Sequence, residues 1–110
     1  MALSASEASI EAELQTKGLN APRLTSQLID ECIIEEQYYI FPGSTVTICG
    51  LKLRNGFIVI GKSAAASPEN FDQAIGQRIA RDDARNQIWA LEGYLLRQRL
   101  SETPTANPYD

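Results

Sequence analysis

The sequence predicts an α+β fold, in which a small antiparallel three-stranded sheet is combined with N-terminal helices and a long C-terminal helical region. Aromatic and β-branched residues concentrate in short runs between residues 38 and 61, and apolar residues recur at helical spacing before and after them. A chain of 110 residues has the length of one domain. We assign this domain to residues 1–100 and a flexible tail to residues 101–110, which contain Pro104 and Pro108.

Two short helices are predicted ahead of the sheet. Residues 6–17 carry acidic residues early and apolar residues four apart, and Gly18 follows as a C-cap. A second helix begins at Thr25 or Ser26, either of which can cap it. Its apolar stripe consists of Leu28, Ile29, Cys32 and Ile33. The stripe indicates that this helix packs against the rest of the domain.

Three antiparallel strands are predicted from the concentration of aromatic and β-branched residues. They cover residues 38–41, 45–53 and 57–61. The turns between them are Pro42-Gly43 and Asn55-Gly56. The Asn-Gly pair favours a two-residue hairpin turn, in which both residues adopt positive φ.

The second strand does not alternate regularly. Val46 and Ile48 can share a face with Leu51 or Leu53 only if the strand contains a bulge. We place this bulge at Gly50, because a glycine inside a strand often marks such an irregularity.

A long helical stretch is predicted from about Pro68 to about Leu100, with Ser67 as its N-cap. One apolar stripe of this helix is formed by Ala80, Ala84, Ile88, Leu91 and Leu95. A second stripe on nearly the opposite side is formed by Ile75, Ile79, Trp89, Leu96 and Leu100. One sheet cannot cover both, so we predict that the second stripe is buried against another copy in a homo-oligomer. The alternative is a kink near Gly93 that lets one chain use both stripes.

The composition excludes several kinds of catalysis. The chain has no histidine, so one chain cannot form a Ser-His or Cys-His pair, a histidine-ligated zinc site or a histidine pH switch. Asp82 and Asp83 point about 100° apart on a helix and do not form a carboxylate dyad with Glu92. Gly61-Lys62-Ser63 lacks the preceding glycines of a phosphate-binding loop. We predict a protein that is not an enzyme and that uses no metal or cofactor.

Charged residues in the C-terminal helix alternate in sign. Asp82 lies four residues after Arg78, and Arg81 lies four residues before Arg85. We interpret these residues as a solvated charged face, since such pairs contribute little to stability when they are exposed.

The two cysteines and the N-terminus bear on the cellular compartment. Cys32 and Cys49 are too few for a structural zinc site and have apolar neighbours, so we interpret them as reduced core residues; a disulfide is the alternative. The sequence shows no secretory signal and no apolar run that would span a membrane. We therefore expect a cytoplasmic protein.

The distribution of charge disfavours general binding to duplex DNA. The net charge is −4, and the acidic residues outnumber the basic ones chiefly in residues 1–50, whereas the remainder is rich in arginine. Non-specific DNA binding needs a concentrated basic face, so a nucleic-acid partner is not expected. A small local group of arginines would still suit the phosphates of a small ligand.

Phe71 lies in the first turn of the predicted C-terminal helix. Backbone N–H groups and the helix dipole favour an anion there, so an aromatic ring and an anion site coincide. The ring could stack on a base, or it could simply cover the end of the helix as a hydrophobic plug. The residue pattern leaves both interpretations open.

Several segments of the sequence occur together in a specific order. They are Ala21-Pro22-Arg23-Leu24-Thr25, Asn55-Gly56-Phe57, Lys62-Ser63-Ala64, Pro68-Glu69-Asn70-Phe71-Asp72, Ile75-Gly76, residues 80–84, Ile88-Trp89 and residues 91–96. This combination resembles a family of small tailed-bacteriophage proteins that includes the Thoeris anti-defence sponge. The resemblance covers roughly residues 20–100. The chain departs from the common pattern at residues 65–67, where it has Ala-Ala-Ser and relatives often have Cys-Val-Asp.

The resemblance implies sequestration of a ligand without chemistry. Members that act as sponges are homo-oligomers, described as hexamers, which bind cyclic ADP-ribose isomers made by bacterial TIR proteins, and some also hold cyclic oligonucleotides in a separate site. By this resemblance Phe71 stacks on a base. The polar contacts, in a pocket shared between protomers, come from Asn70, Arg81, Asp82, Asn86 and Arg97. Arg23 and Thr25 are our candidates for the second site.

We therefore expect a phage anti-defence protein that acts in the cytoplasm of the infected bacterium and whose partners are a cyclic nucleotide and further copies of itself. The alternative is a small phage regulatory protein that binds DNA or a host protein. This alternative is motivated by Arg78, Arg81, Arg85 and Arg99. Hydrolysis of the same signals is a third hypothesis and the least favoured one.

Overall fold

The computed structural model describes residues 5–102. It confirms the α+β class and the three-stranded antiparallel sheet. In chain order the elements are helix α1 (Ala5–Thr16), helix α2 (Ser26–Glu31), strand β1 (Ile33–Ile40), strand β2 (Val46–Leu53), strand β3 (Ile58–Ala64), a 3-10 turn (Pro68–Asn70) and helix α3 (Gln73–Ser101). None of the helices in this described part is long and apolar enough to cross a membrane.

The N-terminal helices begin and end close to their predicted positions. After α1 the chain turns at Gly18, whose φ of 67° lies in the left-handed region that favours glycine. Thr25 is the N-cap of α2, and its side chain accepts a hydrogen bond of 3.2 Å from the Leu28 amide. The prediction that Ile33 continues the apolar stripe of α2 was wrong, because the helix ends at Glu31 and Ile33 begins β1.

The core lies between one face of the sheet and α3. The strands are ordered β1-β2-β3, with β2 in the centre. The buried apolar residues are Ile29, Cys32, Cys49, Leu51, Leu53, Val59, Ala80, Ala84 and Ile88. The first predicted stripe of the C-terminal helix is thus confirmed as far as Ile88. Leu91 and Leu95 stay exposed beside the β2–β3 hairpin, so the stripe extends beyond the core.

Strand β3 approaches α3 very closely at Gly61. A Cβ atom at this position would lie 2.2 Å from the carbonyl oxygen of Ala80 and 2.3 Å from the amide nitrogen of Ala84. These atoms belong to the helix backbone and cannot move aside. The small residues at all three positions therefore determine the distance between helix and sheet.

The predicted bulge at Gly50 is wrong. Gly50 pairs regularly with Gln37 on one side and Ile60 on the other, and the irregularity lies in β1, between Ile33 and Glu35. Strand β2 alternates regularly. Cys49 and every second residue on either side of it are buried under α3, and the residues between them lie on the opposite face.

The β2–β3 hairpin forms at the predicted Asn55-Gly56 position but with a different turn. Only Gly56 has positive φ, at 90°, and Asn55 does not. The Gly56 amide donates to the Leu53 carbonyl and the Leu53 amide donates to the Phe57 carbonyl, each at 2.8 Å. This is a three-residue loop with glycine in the left-handed position, and not the predicted two-residue turn.

Helix α3 begins later than predicted. Pro68 opens only a short 3-10 turn, Phe71 is extended with ψ of 126°, and Asp72 is the N-cap. The Asp72 carboxylate accepts a hydrogen bond of 2.9 Å from the Ile75 amide. From Gln73 to Ser101 the helix is uninterrupted, including at Gly93, where a kink was the alternative to an oligomer. The helix includes Ser101, and residues 103–110 of the predicted tail lie outside the described part.

The second apolar stripe of α3 is only partly covered within one chain. Trp89, Leu96 and Leu100 are half-buried, and the first two line a cavity together with residues of α1. Ile75 and Ile79 are 47% and 51% exposed. The N-terminal segment thus covers the C-terminal part of this stripe and leaves its first part open.

Candidate ligand-binding site

Three of the predicted polar contacts share one face of α3. At about 100° per residue, Asp82, Asn86 and Arg97 point within about 60° of each other, and all three are exposed. Ile75 and Ile79 lie on the same face. We call the face formed by these five residues the outer face of α3. It combines a cation, an anion, an amide and two aliphatic side chains.

Arg81 points away from this face. Its Nε atom donates to the Glu36 carboxylate at 3.0 Å, which connects α3 to β1, and its side chain is 12% exposed. Burial opposes the ionisation of Glu36, but hydrogen bonds from Arg81 and Tyr38 outweigh it and lower the pKa of this carboxyl. Arg81 therefore stabilises the contact between helix and sheet, and the structure does not place it with the other polar candidates.

Phe71 and Asn70 lie at the start of α3. The Phe71 ring is half-buried, and its Cε1 atom would be 3.5 Å from a Cβ atom placed on Gly76, so it packs on the first turn of the helix. The ring therefore covers the end of the helix as a plug, with part of its surface still accessible. Asn70 is exposed, and its backbone N–H donates to the Ser67 carbonyl at 3.0 Å.

One chain alone does not bring these candidates into one pocket. Arg97 lies about 36 Å along α3 from the helix start beside Phe71, at 1.5 Å per residue. The residues form three separate groups: Asn70 with Phe71, Asp82 with Asn86, and Arg97.

The second-site candidates line a cavity of about 560 Å³ between α1, α2 and α3. The Arg23 side chain donates to the Glu11 carboxylate through Nε, at 3.3 Å, and to the Leu19 carbonyl, at 3.2 Å. The pKa of Glu11 is lowered by its hydrogen bonds to Arg23 and Gln15. Thr25 lines the same cavity, but its hydroxyl caps α2. The structure thus brings Arg23 and Thr25 together, with a carboxylate of α1 on the arginine.

Arg85 is the charged residue that sequence reasoning misinterpreted. It is buried, at 4% exposure, and it is not part of a solvated face. Its Nε donates to Asp30 at 2.8 Å, its Nη1 to Glu7 at 2.9 Å and its Nη2 to the Ser26 carbonyl at 3.2 Å. The only signal in the sequence is its position next to Ala84 in the buried stripe.

Asp83 has a structural contact that sequence reasoning also missed. Its carboxylate accepts a hydrogen bond of 3.0 Å from the backbone amide of Lys62 in β3. Together with the Arg81 and Arg85 contacts, this hydrogen bond attaches the middle of α3 to the sheet and to the other helices.

A second cavity, of about 590 Å³, lies between the β2–β3 hairpin and the last third of α3. Glu92 lines it, and its carboxylate is 3.2 Å from Arg54 and 3.1 Å from the Cys32 sulfur. Burial and this carboxylate raise the pKa of Cys32 to about 11. Both cysteines are free and buried, which confirms that they are reduced core residues. Within residues 5–102, no three Cys, Asp or Glu side chains cluster as metal ligands.

A family comparison identifies the origin of the chain. A model of the family described as "Phage protein (N4 Gp49/phage Sf6 gene 66) family" matches residues 24–100, which is more than half of the sequence. The chain belongs to this phage protein family. No curated protein and no solved structure matches it. The part shared with the phage protein family includes the sheet, α3 and Thr25, whereas α1 and Arg23 lie outside the match.

Proposed function

We propose that this phage protein binds and sequesters a cyclic nucleotide immune signal, without degrading it, between copies of itself in a homo-oligomer. The ligands are cyclic ADP-ribose isomers and, in a second site, cyclic oligonucleotides; the assembly is a hexamer in the cytoplasm of the infected bacterium. The observation that carries the proposal is the outer face of α3, where Asp82, Asn86 and Arg97 are exposed together with Ile75 and Ile79.

A second copy can complete the pocket in one register. Consider two antiparallel α3 helices related by a two-fold axis at the level of residue 84 along the helix. Arg97 of one copy then lies beside Phe71 of the partner subunit. The same register places Asn86 opposite the partner's Asp82, because both residue pairs are symmetric about position 84. The groups that are about 36 Å apart in one chain would thus meet twice in such a pair.

The chemistry of the assembled groups suits a cyclic ADP-ribose isomer, which carries a base, ribose hydroxyls and phosphates. The planar guanidinium of Arg97 can donate two hydrogen bonds to a phosphate. The Asp82 carboxylate can accept hydrogen bonds from ribose hydroxyls, and the Asn86 amide can both donate and accept. The accessible part of the Phe71 ring offers a surface on which a base can stack. Without histidine, the chain lacks the usual general base, which favours binding over hydrolysis.

The regulatory alternative has weaker support. Two of the four arginines that motivated it, Arg81 and Arg85, donate to Glu36, Asp30 and Glu7 within the chain. A guanidinium that is already paired contributes little to the counterion release on which duplex binding depends.

The decisive experiment is calorimetry of the purified protein with a panel of cyclic ADP-ribose isomers. We expect tight binding, and Arg97→Ala should weaken it by about 2 to 5 kcal/mol, since it removes a charged contact to a desolvated phosphate. Arg99→Ala removes an exposed arginine that points about 160° away from Arg97 on α3. It is the matched control and should bind normally. Chromatography of ligand released by denaturation should recover it unchanged. Absence of binding to every isomer, or a modified ligand, would contradict the proposal.

A further inference from the structure

The face of the sheet opposite α3 carries large apolar side chains although nothing in the described chain covers it. Tyr39, Ile58 and Ile60 are 53 to 54% exposed there, and Phe41 packs edge-on against Tyr39 with ring centroids 6.4 Å apart. An antiparallel sheet that faces water on one side normally alternates apolar and polar residues, with polar residues outside. A contiguous apolar area with polar residues at its margin is typical of a protein interface.

The strand register arranges this face as three rows of three residues. The rows are Glu35-Lys52-Ile58, Gln37-Gly50-Ile60 and Tyr39-Ile48-Lys62, each read across β1, β2 and β3. Gly50 occupies the centre. A Cβ atom there would make only ordinary contacts, at 3.6 Å from Ile60 and 3.9 Å from Ile58, so the glycine leaves a shallow depression between larger side chains.

The charges at two opposite corners of this arrangement are complementary. Glu35 lies at one corner and Lys62 at the diagonally opposite corner, with Gly50 midway between them. Neither residue forms an ion pair with another described residue. A two-fold axis through Gly50, lying in the plane of the face and perpendicular to this diagonal, exchanges the two corners. Glu35 of each copy therefore lies against Lys62 of the other copy, so the same ion pair forms twice in one symmetric contact.

We propose that this face is a self-association surface, which packs on the same face of a second copy of this chain with Glu35 opposite Lys62 of the partner subunit. Neighbouring strands are about 4.8 Å apart, and two residues span about 6.8 Å along a strand. These spacings fix the direction of the diagonal and of the two-fold axis, so that the strands of the two sheets cross at about 70°. This belongs to the orthogonal class of sheet packing; an aligned packing would place Glu35 against Ile58 or Tyr39 instead. The contact is separate from the outer face of α3 and does not depend on nucleotide binding.

Charge reversal tests the contact through its symmetry. Mass measured by light scattering after size exclusion should fall for Glu35→Lys and for Lys62→Glu, because each places like charges at both corners. The double variant Glu35→Lys with Lys62→Glu should recover the wild-type mass. Lys17→Glu reverses an exposed charge just after α1, away from this face, and should leave the mass unchanged. Denaturation of each variant serves to exclude misfolding.

The outcomes separate this inference from the proposed function. If the single reversals keep the wild-type mass, or if the double variant does not recover it, the sheet contact is wrong. If Arg97→Ala loses ligand binding while the sheet variants keep the wild-type mass, the proposed α3 site is supported and only the sheet contact is rejected. Ile79→Lys, on the outer face of α3, should reduce the mass independently of the charge reversals if both contacts exist.

Discussion

Glu7 in α1 and Arg85 in the middle of α3 are 78 residues apart in the sequence and form an ion pair of 2.9 Å. Arg85 also binds Asp30 of α2, so one guanidinium connects all three helices. The arginine is buried whereas both carboxylates retain some exposure to solvent. This arrangement makes Arg85 a stability residue and leads to the first prediction.

Arg85→Met should destabilise the fold. The substitution leaves Glu7 and Asp30 without their cation, and removing one partner of a buried ion pair costs about 3 to 5 kcal/mol. We expect a value near the lower end, because both carboxylates can recover part of their hydration. Urea denaturation measures the loss. Arg78→Met, at an exposed position of the same helix, should change the unfolding free energy by less than about 0.5 kcal/mol. Equal effects of the two substitutions would contradict the network.

The Glu7 carboxylate should make stability depend on pH on the acid side. Burial opposes its ionisation, but hydrogen bonds from Arg85 and Ser26 outweigh it and lower its pKa. A lowered pKa in the folded state stabilises the fold fully above the ordinary carboxyl range, and this stabilisation is lost as pH falls through the folded-state value.

The comparison of wild type with Glu7→Gln isolates this contribution. We expect wild type to be more stable than Glu7→Gln at neutral pH. The difference should disappear in acid, where Glu7 is protonated and therefore as neutral as the glutamine. Unfolding by urea across this pH range is the measurement. A difference that stays constant down to low pH would show that charge on Glu7 does not matter.

Gly61→Ala should destabilise the fold severely. The new methyl group would meet the α3 backbone at 2.2 to 2.3 Å, so the helix must move off the sheet. We expect a loss of about 3 kcal/mol, the upper end of the usual range for overpacking, because the atoms that the methyl group meets cannot yield. Gly93→Ala is the matched control, since its Cβ lies 3.8 Å from the nearest side chain and alanine favours a helix. Relative to wild type, the midpoint temperature of thermal unfolding should fall for Gly61→Ala and rise for Gly93→Ala.

Glu11 should compete with an anionic ligand for Arg23 in the second site. The two side chains are ion-paired across the cavity, so a phosphate that binds Arg23 must displace the carboxylate. We therefore expect Glu11→Ala to tighten the binding of cyclic di- and trinucleotides several-fold and Arg23→Ala to weaken it. Calorimetry with these ligands tests both. Weaker binding in Glu11→Ala would indicate that the carboxylate positions the arginine for the ligand.

The elements that the sequence predicted correctly depend on local patterns. The concentration of aromatic and β-branched residues identified β2 and β3, and helical spacing identified most of α3. Gly18 marked the end of α1, and Thr25 marked the start of α2. At the start of α3, two capping signals lie five residues apart, at Ser67 and Asp72. Asp72 prevails because Phe71 stays extended and packs on Gly76, a contact that the capping rules do not contain.

The candidate site was less predictable because its contacts are remote in sequence. The partners of Arg85 lie 55 and 78 residues away, and those of Arg81 lie 45 residues away. A helical wheel places both arginines near the surface and cannot show that carboxylates of other elements reach them. The outer face of α3, by contrast, follows directly from helical geometry, which puts Asp82, Asn86 and Arg97 on one side of the helix.

The contact between Gly61 and the backbone of α3 also limits how the molecule can respond to a ligand. The two backbones leave no room for a side chain at Gly61, so the helix cannot roll a larger residue over this point of β3 without first lifting away. Any rearrangement of the subunit must then carry the sheet and the first half of α3 as one rigid body. Spectroscopic labels placed on β3 and at Ile79 should keep a constant separation, whatever the subunits do relative to one another.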